Sequence, residues 1–90
     1  MAGKASYTPL GYQQITALTA STALTVPRGA QGAIITAETQ GVRWRDDGTA
    51  PTAAVGMPLA SGASFEYGGD LSKIRFIEQA ASAKLNVAFF

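Results

Sequence analysis

Neither cysteine nor histidine occurs in the 90 residues. Their absence removes the thiolate and imidazole nucleophiles, the usual zinc ligands and the commonest general base. Neither a Ser-His-Asp nor a Cys-His arrangement can be built from this chain. Catalysis would have to rest on Asp, Glu, Tyr and Lys alone, so the expectation is a non-enzymatic protein without a cofactor or a metal. Without cysteine no disulfide can reinforce the thin core that so short a chain can bury, and small domains of this kind often gain stability by self-association. Charge is also sparse: seven Lys and Arg stand against six Asp and Glu, a formal net charge of +1. No basic stripe of the kind that marks nucleic-acid binding is present. The closest basic pair, Arg43 and Arg45, is followed at once by Asp46 and Asp47. No apolar run approaches about 18 residues, so neither nucleic acid nor membrane is an expected partner. "MAGKAS" lacks the apolar stretch of a signal peptide, and the lack of cysteine fits a reducing cytoplasm.

Helical periodicity is missing too. Apolar residues rarely recur at i, i+3 and i+4, and the alanine-rich pieces are interrupted by β-branched residues, Gly or Pro. What is present is alternation. A strand is expected from about residue 12 to 18 in "GYQQITAL", and a second in "STALTVP", with Leu24 and Val26 on one face. "AIITAET" offers Ile35 and Ala37 to one side and Ile34, Thr36 and Glu38 to the other. "GVRWRDD" places Val42 and Trp44 inward and Arg43 and Arg45 outward. A short strand is expected near residues 54–57. "ASFEY" and "SKIRFIE" put Phe65 and Tyr67, and Ile74 and Phe76, on one face of their strands, and "AKLNVAFF" puts Ala83, Leu85, Val87 and Phe89 on one side. Gly, Pro, Asp and Ser punctuate these runs every ten residues or so. Seven to eight short strands at that spacing make an all-β fold, a small antiparallel β-sandwich or jelly-roll-like barrel. Residues 1–10 show no period and read as an N-terminal arm, and residues 11–90 as a single domain.

The stretch "VRWRDDGTAPTAAVGMP" concentrates the chemistry. Asp46 and Asp47 lack the alternating ligand spacing of a calcium loop. They read as a tight turn in which an Asp caps backbone N–H groups ahead of Gly48. Trp44 reads as a core residue, with an aromatic anchor in a subunit interface as the rival reading. Arg43 and Arg45 are free to pair with acidic groups on neighbouring strands. Val55-Gly56-Met57-Pro58-Leu59 reads as an apolar lip that needs a partner. "YGGDLS" has neither phosphate-loop spacing and reads as a corner. Tyr7, Tyr12 and Tyr67 could stack bases or sugars, but no basic groove accompanies them.

Taken together, "ETQGVRWRDDGTAPTAAVGMPLASGASFEY" and "LSKIRFIEQAASAKLNVAFF" resemble small structural proteins encoded in the virion gene blocks of tailed bacteriophages. The resemblance lies in the Arg-Asp-Asp-Gly-Thr-x-Pro-Thr segment, the Val-Gly-Met-Pro-Leu run, the Lys-Ile-x-Phe-Ile strand and the Ala-x-Leu-x-Val-x-Phe-Phe end. It covers roughly residues 33 to 90. It implies a non-enzymatic virion component assembled in the host cytoplasm, and by itself does not decide between capsid decoration and a tail or neck part. The favoured expectation is a capsid decoration protein that self-associates as a dimer or trimer and binds the major capsid protein or another virion protein. The alternative is a binding module of a tail, neck or fibre, reading a sugar or receptor. On either reading the expected interface residues are Tyr7 and Leu10 of the arm, Arg43, Trp44, Arg45, Met57 and Leu59, and the aromatic pair Phe89 and Phe90.

Overall fold

The computed structural model describes residues 8–90. Period-two alternation builds eight strands: β1 (Gly11–Ile15), β2 (Thr22–Ala23), β3 (Ala33–Glu38), β4 (Val42–Arg45), β5 (Met57–Leu59), β6 (Ser64–Tyr67), β7 (Arg75–Glu78) and β8 (Lys84–Phe89). The first four strands run antiparallel to the last four. β1 pairs with β8, β2 with β7, β3 with β6 and β4 with β5, as in one long two-stranded ribbon. Two further pairings, β3 with β8 and β4 with β7, roll that ribbon up. The result is two four-stranded sheets, β1-β8-β3-β6 and β2-β7-β4-β5. Eight antiparallel strands rolled in this order form a jelly roll, a double-sheet β-sandwich.

The inward residues of both sheets make a single core. Ala33, Ile35 and Ala37 of β3 and Leu85, Val87 and Phe89 of β8 meet Val42 of β4 and Phe76 of β7, with Leu18 and Ile74 added from connections. Alanines at positions 33, 37 and 83 let the two sheets approach, while Phe76 and Phe89 fill the wider space. A large-to-small change at either Phe costs about 3–5 kcal/mol, as for aromatic residues in other cores.

Strand ends differ from the sequence expectation where the chain changes sheets. β1 stops at Ile15, because Leu18 already belongs to the crossing: its carbonyl accepts the N–H of Glu78, at 2.9 Å. β2 is two residues long because the side chain of Gln13 takes the backbone N–H of Thr25, at 2.9 Å, and diverts it from the ladder. Val26 is accordingly exposed, although Leu24 is buried as its alternation implies. The strand expected near residues 54–57 begins at Met57 instead. A turn at Thr52 has captured the N–H groups of Ala54 and Val55 through its Oγ1.

The connections β2–β3, β4–β5 and β6–β7 gather at one end of the sandwich. The register places Tyr67 beside Ala33, Ala33 beside Phe89, and Arg45 beside Arg75. Leu10, assigned by sequence to the arm, donates its N–H to the carbonyl of Phe89 at 3.0 Å and so extends the β1–β8 ladder by one residue.

Candidate interaction surface

At that end, β4 supplies both a floor and a clamp. Val42 is completely buried, but Trp44, two residues on, sits at the mouth of the sandwich and is only partly covered. Its indole stacks on Phe65 of β6, with ring centroids 5.3 Å apart and planes 11° from parallel. Tyr67 meets Trp44 edge-on at 6.0 Å and Phe65 at 6.3 Å. The three rings close the gap between the β4–β5 side of one sheet and the β6 edge of the other. Tyr67 donates its hydroxyl to the Asp46 carboxylate at 2.7 Å. Burial, reinforced by that carboxylate, pushes the Tyr67 phenol up to about 12.

Arg43 points the opposite way and fixes the β4–β5 connection. Its Nε donates to the carbonyl of Ala53 at 3.1 Å, and its Nη1 to that of Gly56 at 2.8 Å. Pro51 is buried in the same connection. Gly56 has φ +143, and a Cβ there would lie 3.1 Å from the Trp44 carbonyl and 3.2 Å from both the Arg43 and Pro51 side chains. The Thr52–Val55 turn is closed by backbone bonds in both directions, of 2.8 and 3.2 Å. It holds Val55 outward, and Met57 follows at the start of the edge strand. They are 54 % and 56 % exposed. Together with Trp44, Arg45, Asp46, Asp47 and Gly56 they line an open groove of about 400 Å³.

Arg45 and Asp47 form a bidentate pair on the rim, Nε to Oδ1 at 3.0 Å and Nη2 to Oδ2 at 2.5 Å. This fork and the N–H of Thr49 hold the Asp47 carboxyl below its usual range. The Arg45 guanidinium is raised in turn, first through the same hydrogen bond. Because Asp47 is exposed and Arg45 only half-buried, the pair orients the turn more than it stabilises the fold. The two aspartates therefore divide their work. Asp47 serves the turn, as expected, and Asp46 serves Tyr67, which the sequence reading missed.

The structure gathers Trp44, Arg45 and Met57 at the groove, with Arg43 behind it as the loop clamp. Leu59 does not belong to the lip: it faces inward opposite Val42 and is buried. Phe89 is likewise a core residue, 2 % exposed, because it shares the inward register of Leu85 and Val87. Phe90 is tied back rather than free. Its carbonyl accepts the N–H groups of Gln31 and Gly32, and its ring lies where a Cβ at position 32 would stand. Leu10 is 39 % exposed but lies at the β1 edge, and Tyr7 is outside the described residues.

Phe65 joins the site without having been expected at an interface, while Val55 belongs to the apolar lip that the sequence marks. The alternation of "SFEY" marks Phe65 as inward, but nothing local says that it meets Trp44. On the outer face of the other sheet, the Tyr12 hydroxyl and Gln14 Nε2 both donate to Asn86 Oδ1, and Asn86 Nδ2 donates to Glu38. Among the described residues no group of three His, Cys, Asp or Glu side chains comes together as a metal site. Comparison of the chain with protein-family models, with curated proteins and with solved structures gives no significant match.

Proposed function

We propose that this protein is a non-enzymatic structural component of a tailed-bacteriophage virion, a capsid decoration protein that self-associates and binds the particle surface. The observation that carries this reading is the preformed apolar groove. Val55 and Met57 are held in solvent beside Trp44 by a connection clamped through Arg43. Exposed apolar side chains set in a fixed frame, with an aromatic floor and an arginine on the rim, have the composition of a protein–protein contact. The resemblance of residues 33–90 to virion proteins supplies the setting, and the rolled ribbon supplies a rigid platform. The test is the oligomeric state of the full chain by light scattering at tens of micromolar, an order of magnitude suited to such contacts. A dimer or trimer that Met57→Glu dissociates is expected. A 9.3 kDa monomer with or without the substitution contradicts self-association.

One observation favours a second reading, a glycan-binding module of a tail or fibre. Tyr12 is 65 % exposed, and its ring is tethered through the hydroxyl to Asn86 beside Gln14 and Glu38. An aromatic face set among amides is a surface on which a sugar ring can stack. A glycan array distinguishes the two: binding lost in Tyr12→Ala supports the module, and no binding supports the decoration protein.

A further inference from the structure

The outer face of the β2-β7-β4-β5 sheet carries an imbalance of charge that the groove does not use. Arg45 and Arg75 are direct cross-strand partners on β4 and β7. Like charges placed opposite one another on a sheet repel. Arg45 is relieved by the Asp47 fork. Arg75 has no carboxylate: its Nη1 donates to the carbonyls of Ser72 and Ile74, at 2.9 and 3.1 Å, and its Nε–Nη2 edge makes no hydrogen bond among the described residues. Lys73, exposed two residues earlier, forms no ion pair among the described residues either. The carboxylate of Asp70 feels Lys73, but its Oδ1 is committed to the N–H and hydroxyl of Ser72.

These two cations line a pocket of about 230 Å³ with Ser21 and with Gly48, Thr49 and Ala50 of the β4–β5 connection. Among the described residues no carboxylate lines it. The connection that supplies Gly48, Thr49 and Ala50 is held by the Arg45–Asp47 fork and, further along, by the Arg43 bonds to Ala53 and Gly56. The unused edge of the Arg75 guanidinium is the planar two-donor edge that matches a carboxylate.

We propose that this pocket receives a carboxylate side chain from an acidic segment of another protein, with Arg75 as the bidentate contact and Lys73 as the second charge. The incoming carboxylate does for Arg75 what Asp47 does for Arg45. This goes beyond the virion reading, since it specifies the chemistry of the partner and not its origin. A guanidinium edge can fork to a carboxylate or to a phosphate, so the phosphate arm of the experiment below decides between them.

The experiment is a titration of the ¹⁵N-labelled full chain with a hexaglutamate peptide at low ionic strength, with inorganic phosphate and hexalysine titrated in parallel. Shifts at the Gly48, Thr49 and Lys73 amides and at the Arg75 Nε resonance are expected, reversed by salt and absent with hexalysine. Lys73→Gln and Arg75→Gln are each expected to weaken binding about tenfold, as loss of a charged hydrogen bond does. Arg75→Gln also gives up two backbone contacts, so its spectrum is checked for the native fold. Lys73→Gln removes only an exposed side chain and carries the test alone if the other variant unfolds. No shift, shifts elsewhere, or binding unchanged in Lys73→Gln overturns the proposal. Phosphate producing the same shifts at lower concentration than the peptide overturns the choice of carboxylate.

Discussion

The indole of Trp44 lies nearly parallel to the ring of Phe65, 5.3 Å away across the open side of the sandwich. One residue comes from an interior strand of its sheet and the other from the edge strand of the opposite sheet. The stack therefore joins the two sheets where no backbone pairing does, and the exposed part of the indole is what the groove offers a partner. If the groove is a contact surface as proposed, Trp44 is both core seal and interface anchor, and the two readings that the sequence offers do not exclude one another.

Trp44→Ala removes both. Stability should fall by about 2–4 kcal/mol, somewhat below the range for a fully enclosed aromatic, and self-association should be lost. Trp44→Phe keeps a ring on Phe65 and should recover most of the stability. Urea denaturation of the two variants measures the first effect and light scattering the second. Equal loss in both variants would show that stacking on Phe65 contributes little.

Tyr67 gives the fold an alkaline limit. Its phenol is raised from 10.0 to about 12 by burial and by Asp46. Below pH 10 the folded and unfolded chains both hold this proton, so the shift does not affect stability there. Between pH 10 and 12 the unfolded chain releases the proton while the folded chain retains it, so stability falls as pH rises through this window. Tyr67→Phe has no proton to lose and should show a flatter profile there, at the expense of leaving Asp46 without its donor. Melting temperatures recorded across the window check this, and identical slopes in the two proteins would refute it.

Gly56→Ala should unseat the β4–β5 connection. The backbone there has φ +143, and the new methyl would press on the Trp44 carbonyl and on the Arg43 and Pro51 side chains. A loss of about 1–3 kcal/mol is expected from strain and overpacking, together with faster amide exchange at residues 52–57. Full stability with unchanged exchange would mean that the connection is not held as described.

Deleting Ala2 to Thr8 spares Leu10, whose bond to Phe89 extends the β1–β8 ladder. The truncated chain should therefore keep its β-sheet circular dichroism and nearly its full melting temperature, while self-association or particle attachment weakens. Association undiminished by the deletion removes the arm from the interface. Failure to fold would make the arm part of the sandwich.

Much of this architecture can be read from the sequence because alternation is a local property. Val42, Phe76 and Leu85 sit on the apolar face of alternating runs, so their burial follows from spacing, and the number of strands follows from the punctuation between them. What escapes is set at a distance. The register that puts Arg45 opposite Arg75 depends on two strands far apart in the chain. Arg43 finds its partners among backbone carbonyls, which carry no residue code. Leu59 shares an apolar run with Met57, and only its position further into the sheet, opposite Val42, decides that one is core and the other surface. Phe90 reads as an exposed aromatic until Gly32 is seen to leave room for its ring.

The central proposal, a structural place in a virion, is tested most directly by quantitative mass spectrometry of virus particles purified from the cells in which this chain is naturally made. A decoration protein is expected at on the order of hundreds of copies, in fixed proportion to the major capsid protein, as a symmetric shell requires. A number matching a single tail or neck ring would support the binding-module alternative instead. Absence of the chain from purified particles would contradict the account.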